Sequence, residues 1–276
     1  MIMNLQGGTS IYYEIDGDGI PLVLLHGWGV DHRILSGPME PLFGNGLSGF
    51  KRIYIDLPGM GQSKAGAHIK TSDDMLDALY EFLNEVIPGQ RYVVMGESYG
   101  GYLARGMVCK KPSQVAGIIL LCPAMIPGYR KGDVVPLRVM EKDDAFLNTL
   151  SADERKSFEY MNVLLTEKVW MSYKADIYDA LPLQDTHFLS EVLNGAFSFD
   201  VDTLTEPFTR PCLIITGKQD TEVGYRDQFK LLQIYTNASY ISLNRAGHNL
   251  QIEQPELFAS IVGGWLTDNV KGFEPK

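Results

Sequence analysis

Two periods of apolar residues alternate along the chain. "PLVLLHG" (21–27), "RYVVMG" (91–96), "VAGIILLC" (115–122) and "PCLIITG" (211–217) are short apolar runs, the pattern of strands buried on both faces. "SIYYEI" (10–15), "KRIYIDLPG" (51–59) and "SYISL" (239–243) also read as strands, the second stopped by Pro58-Gly59. Between Asp73 and Ile87 the period changes: Met75, Leu76, Leu79, Phe82, Leu83, Val86 and Ile87 recur at helical spacing, and Pro88-Gly89 ends the run. Further helices are predicted over Tyr99–Lys110 and Tyr225–Tyr235. A last one opens at Pro255 and carries Leu257, Phe258, Ile261, Trp265 and Leu266 on one side. Strands alternating with helices predict an α/β fold, a mostly parallel sheet covered on both faces.

Residues 124–206 break that rhythm. They contain no convincing buried strand, but Ser151 and Glu154 in "SADERKSFEYMNVLL" form a capping-box start, and a second helix is predicted around His187 to Ala196. The predicted organisation is a core of residues 1–123 and 207–276 interrupted by a helical cap, 124–206. Phe146, Phe158, Tyr160, Trp170, Tyr173, Tyr178, Phe188, Phe197 and Phe199, with Met125, Met140, Met161 and Met171, lie in this insertion. They fit two readings, the lining of an apolar cavity beneath a lid or the cap's own core and its seam with the sheet.

Composition narrows the partners. A chain of 276 residues with a hydrophobic fraction of 45% can bury a sizeable core. The 34 acidic and 24 basic side chains give a net charge of −10, which repels nucleic acid and anionic membrane, and which also serves plain solubility. Between 124 and 206 there are 15 acidic and 8 basic residues, so the cap is either a solvated acidic surface or one that favours neutral and cationic substrates. Cys109, Cys122 and Cys212 match no metal pattern and read as reduced thiols, which points to the cytoplasm. The start of the chain shows no signal-peptide pattern, and no apolar run approaches the ~18 residues of a membrane helix. No metal or cofactor is implied, and the oligomeric state is open between monomer and homodimer.

The chemistry centres on "MGESYGG" (95–101), which places Ser98 between Gly96 and Gly100 at a strand-to-helix junction. A sharp turn there strains the serine backbone and exposes its hydroxyl, and glycines two residues to either side remove the clash between the flanking backbones. Any Gly-rich strand-to-helix turn shares this look, so further groups are required. Serine needs an adjacent base. Of the five histidines, His26 ends a strand and organises its loop, His32 and His68 lie in polar, loop-like surroundings, and His187 lies in the insertion. His248, between the last strand and the last helix with Gly247 beside it, is the best candidate base. Asp220, just past the strand ending at Gly217, is the candidate carboxylate to orient it, with Glu222 the near rival.

His26-Gly27-Trp28-Gly29, "DLPGMGQS" (56–63), "GESYGG", "GKQD" and "AGHNLQIEQPE", in this order and at these element ends, resemble the α/β-hydrolase superfamily over nearly the whole chain. The resemblance implies an eight-stranded, mostly parallel sheet with a helical cap after the sixth strand. It also implies a Ser98–Asp220–His248 triad and an oxyanion hole made by the backbone N–H groups of Trp28 and Tyr99, each such donor worth about 3 kcal/mol. The Trp28 side chain either walls the pocket or packs under the cap. Ser98 stands where haloalkane dehalogenases and epoxide hydrolases of this fold carry aspartate, and "HGWG" with Tyr99 departs from the proline iminopeptidase pattern. "GMGQSK" (59–64) has Lys64 where a dinucleotide loop needs its third glycine.

Two function classes follow. One is a serine hydrolase acting on a small, mostly apolar ester, with thioester, lactone, C–C bond and peptide substrates as variants on the same fold. The other is a ligand sensor that keeps the triad and turns over very slowly.

Overall fold

The computed structural model describes residues 1–125, 132–193, 197–202 and 204–273. Eight strands form one sheet: β1 (Ile2–Asn4), β2 (Ser10–Asp16), β3 (Ile20–Leu25), β4 (Phe50–Ile55), β5 (Tyr92–Glu97), β6 (Val115–Leu121), β7 (Cys212–Gly217) and β8 (Ala238–Leu243). Their order is β1-β2-β4-β3-β5-β6-β7-β8, with β1 and β2 antiparallel to their neighbours and all others parallel. The mostly parallel sheet is therefore as predicted. β1, too short and too exposed to show an apolar period, has no counterpart in the sequence pattern.

The apolar runs bury both faces because successive side chains point to opposite sides. In β3, Val23 and Leu25 join the core under α2 (Ser72–Val86) and α3 (Tyr99–Lys110), while Leu22 and Leu24 join the core under α1 (Arg33–Gly44) and the C-terminal helix (Pro255–Phe273). Helix α1 is absent from the sequence reading. Pro38 and Pro41 lie inside it and mask its period, yet Ile34, Leu35, Met39 and Leu42 bury one face. The predicted helix over Tyr225–Tyr235 is a shorter 3₁₀ segment, Gln228–Gln233.

Among the described residues between β6 and β7 run three short α-helices, α4 (Asp144–Leu147), α5 (Ala152–Glu159) and α6 (Glu167–Asp176), and a 3₁₀ segment, Tyr178–Leu183. Ser151 and Glu154 do form the capping box of α5. Contrary to the all-helical expectation, Leu164–Leu165 pair in parallel with Glu141–Lys142, and both leucines are buried. The helix expected around His187 to Ala196 is a turn of π-helix, Phe188–Val192, and its end at Ala196 lies outside the described residues.

Arg105, on α3, ties both ends of this inserted segment to the sheet. It is fully buried, and its guanidinium donates to the carbonyls of Ala124 (3.3 Å) and Val201 (2.9 Å) and pairs with Asp202. Replacing it by leucine leaves two carbonyls without a donor. Arg105→Leu is expected to lower stability by about 2–3 kcal/mol in urea unfolding; an unchanged midpoint would show that the guanidinium is not what holds the two ends.

Candidate active site

The carboxyl ends of the four neighbouring strands β5, β6, β7 and β8 lead respectively to Ser98, Cys122, Asp220 and His248. Reactive groups of a parallel sheet collect at this edge because the loops there stand over the sheet rather than within it. Ser98 has φ 50° and ψ −113°, a left-handed conformation that costs a non-glycine residue free energy. The flanking glycines are sterically required: a Cβ on Gly96 would collide with the carbonyl of Gly100, and one on Gly100 with the carbonyl of Leu25.

Asp220 and His248 meet directly. His248 Nδ1 lies 2.8 Å from Asp220 Oδ2, while Asp220 Oδ1 accepts the backbone N–H groups of Glu222 (2.7 Å) and Val223 (3.0 Å). Both carboxylate oxygens are thus engaged, and the acid is fully buried. Its rival Glu222 lies along the cavity wall, and burial raises its carboxyl pKa. Burial opposes charge on His248, but the Asp220 charge and hydrogen bond, with Cys122 and Glu97 beside the ring, outweigh it. The imidazole pKa is held well above its ordinary value of 6.5.

His26 behaves as the loop organiser: Nε2 accepts the N–H of Leu57 (2.9 Å), so Nδ1 carries the proton and donates to the Gly27 carbonyl (2.7 Å). Burial lowers its pKa and keeps it neutral. His32 lies in a turn among acidic side chains, as its polar surroundings in the sequence suggest. It is buried at the start of α1 with Nδ1 2.7 Å from Asp56, a contact invisible in sequence because the two lie on different elements. Among the described residues, the backbone N–H groups of Trp28 and Tyr99 have no intramolecular acceptor. The Trp28 ring lines the cavity and meets the Tyr99 ring edge-on, with centroids 5.2 Å apart.

A cavity of about 1050 Å³ opens over Ser98 and His248. Its walls are Trp28, Val30, Ile34 and Tyr99 on one side, and Met161, Tyr173, Ile177, Leu181, Leu189 and Phe197 from the inserted segment on the other. Of the aromatic and methionine residues singled out in the insertion, Tyr160, Met161, Tyr173 and Phe197 line it. Phe158 and Trp170 are buried against one another, and Phe199 stacks on Tyr102.

Two acids escaped the sequence reading. Glu97, the variable residue of the serine motif, is buried with Oε1 3.3 Å from His248 Nε2. The available signal was a charged residue closing an otherwise apolar strand. Glu253 accepts the N–H groups of Val163 (2.6 Å) and Leu164 (3.4 Å) from the inserted segment, and that of Gly247 (2.5 Å) beside His248. Burial pushes its carboxyl up to about 7, against the pull of those three donors. Among the described residues, Cys122, Asp220 and His248 form one group and Asp31, His32 and Asp56 another in which potential ligand atoms cluster. The first is built on the Asp220–His248 hydrogen bond with Cys122 beside the ring, the second on the His32–Asp56 hydrogen bond with Asp31 paired to Arg33.

The Alpha/beta hydrolase family matches residues 22–261. A pimeloyl-[acyl-carrier protein] methyl ester esterase of Nitrosomonas europaea is 35% identical over 266 residues, covering 91% of this chain and 98% of that protein. An enzyme of the same name from Legionella pneumophila (strain Paris) is 24% identical over 257 residues, covering 93% and 99%. A solved alpha/beta superfamily hydrolase from Oenococcus oeni PSU-1 superposes with a TM-score of 0.85 at 29% identity, covering 99% of both chains. No helix among the described residues is long and apolar enough to cross a membrane.

Glu253→Gln turns an acceptor oxygen into a donor facing a backbone N–H. It is expected to cost about 1–3 kcal/mol in urea unfolding. Glu256→Gln, which removes only an exposed pair with Lys168, should cost less than about 1 kcal/mol. Equal effects would contradict the tying role of Glu253.

Proposed function

The chain belongs to the α/β-hydrolase family, and on that fold we propose that it hydrolyses a small, mostly apolar carboxylic ester through an acyl-enzyme on Ser98. The observation that carries this reading is the Asp220–His248 hydrogen bond at the floor of a largely apolar cavity that Ser98 also lines. The esterase names of the two relatives support ester chemistry, and the cavity walls favour an uncharged acyl or alcohol group. We read 124–206 as the cap that closes over this group.

In the proposed reaction Ser98 Oγ attacks the ester carbonyl carbon as its proton passes to His248 Nε2. Asp220 holds the ring by Nδ1 and stabilises the imidazolium. The N–H groups of Trp28 and Tyr99, which among the described residues have no acceptor of their own, receive the developing oxyanion. The imidazolium then protonates the leaving alcohol. Water, deprotonated by the same nitrogen, releases the acid and restores Ser98. No metal or cofactor enters this scheme. Three free cysteines fit a reducing, cytoplasmic setting.

An organophosphorus reagent is expected to add one group to the protein, at Ser98, and Ser98→Ala should abolish both the adduct and ester turnover. Asp220→Asn should lower kcat by orders of magnitude, with Glu222→Gln close to wild type. The reverse result would assign the acid to Glu222. A folded protein with unlabelled Ser98 and no ester turnover would favour the sensing alternative.

Tyr160 lines the cavity but is half-exposed, so its truncation spares the core. Tyr160→Ala is expected to change the preference among acyl chain lengths by about tenfold while sparing a minimal acetate ester. Equal losses on every ester would mean that Tyr160 only supports the cap.

A further inference from the structure

Glu97 and His248 face each other in a way that needs a proton between them. His248 Nδ1 is committed to Asp220, so in the neutral ring Nδ1 carries the hydrogen and Nε2 presents a lone pair. That lone pair lies 3.3 Å from a carboxyl oxygen, Glu97 Oε1, and both groups are buried. Two acceptors held this close in a dry site repel. The arrangement is favourable when Glu97 is protonated and points its hydrogen at Nε2, or when the ring is doubly protonated and faces a carboxylate. Glu97 cannot turn away to water. Its Oε2 is buried beside Gly27, whose backbone N–H favours the carboxylate and where an added Cβ would collide with it.

Nε2 is also the atom that the proposed mechanism requires as base. A carboxyl oxygen of Glu97 is set against it, 3.3 Å away. We propose that Glu97 is a positioning residue that controls when His248 can act as base, by holding a shared proton between its carboxyl and Nε2. This rests on the serine-hydrolase reading of the site and adds to it a gate that the Ser98–Asp220–His248 triad alone does not contain. The proton moves only between Glu97 Oε1 and His248 Nε2, and leaves to solvent through the cavity as pH rises.

The other groups around the pair set the level at which this happens. Asp220 faces the ring from Nδ1, and Cys122 from the end of β6. Glu222 and, from the inserted segment, Asp153 and Lys156 line the same cavity; Glu253 stands behind Gly247. Burial pushes the Glu97 carboxyl up to about 7, opposed by His248, so the pair keeps its proton into the neutral range. Removing the carboxyl removes one negative charge beside the ring. The imidazole is then expected to lose its proton at lower pH, by about one unit for a charge within such reach.

The test is a pH titration of the His248 ring by ¹⁵N NMR in wild type and Glu97→Gln, alongside the pH dependence of organophosphorus labelling of Ser98. In Glu97→Gln both the ring titration and the acid limb of labelling should move down by about one pH unit. A folded Glu97→Gln with an unmoved ring titration overturns the proposal. Should that variant fail to fold, the ¹³C titration of the Glu97 carboxyl in wild type decides. It should titrate near neutral pH, coupled to the protonation of the His248 ring, and a simple titration near 4.3 would overturn the proposal. Neither NMR readout needs turnover. An unlabelled Ser98 with the expected titrations would therefore reject the hydrolase reading while leaving the Glu97–His248 coupling in place.

Discussion

A buried imidazole must be paired, and the hydrogen bond between Asp220 and His248 meets that demand where two adjacent parallel strands end. β7 and β8 run in register to Gly217 and Leu243, so the turns that follow them deliver the acid and the ring to the same point. Asp220 is itself held by two backbone N–H groups, which leaves it one free direction, toward Nδ1. The ring is thereby oriented with Nε2 toward the cavity. Much of the surrounding structure serves this pair: His26 fixes the Gly27–Trp28 loop, Glu253 fixes Gly247, and the Gly96–Gly100 contact lets the Ser98 turn close against β3.

The same dry floor explains why buried acids are informative here. An unpaired carboxylate in such a site is costly, so each one present is either fully hydrogen-bonded or drawn toward its neutral form. Asp220 is the first kind. Glu97 and Glu253 are both pushed up to about 7 by burial, and each touches the His248 loop from a different side. His248 is thus set within an acidic cluster whose charge depends on pH near neutrality. The surroundings of His248 hold its pKa well above the 6.5 of an ordinary histidine.

How much of this could be read from the chain follows from the range of the interactions. Strands buried on both faces announce themselves in consecutive residues, and so do the Ser98 turn and the Ser151 capping box, which are local. Asp220 and His248 were legible because each follows a readable strand at its carboxyl end. Helix α1 was hidden by Pro38 and Pro41, whose local cost is offset by the tertiary burial of Ile34, Leu35, Met39 and Leu42. The burial of His32 depends on Asp56, and the position of Glu253 on Val163, 90 residues away. Glu97 was in plain view inside the serine motif, but its meaning depends on a ring more than a hundred positions later.

The central claim is that Ser98 becomes covalently acylated. The most direct measurement is intact-mass spectrometry of enzyme mixed with an excess of a 4-nitrophenyl ester and quenched in acid within milliseconds, followed by peptide mapping. The account predicts a transient mass gain equal to the acyl group, located on the peptide that contains Ser98. Ester turnover with no acylated protein, or with the acyl group on another residue, would contradict it.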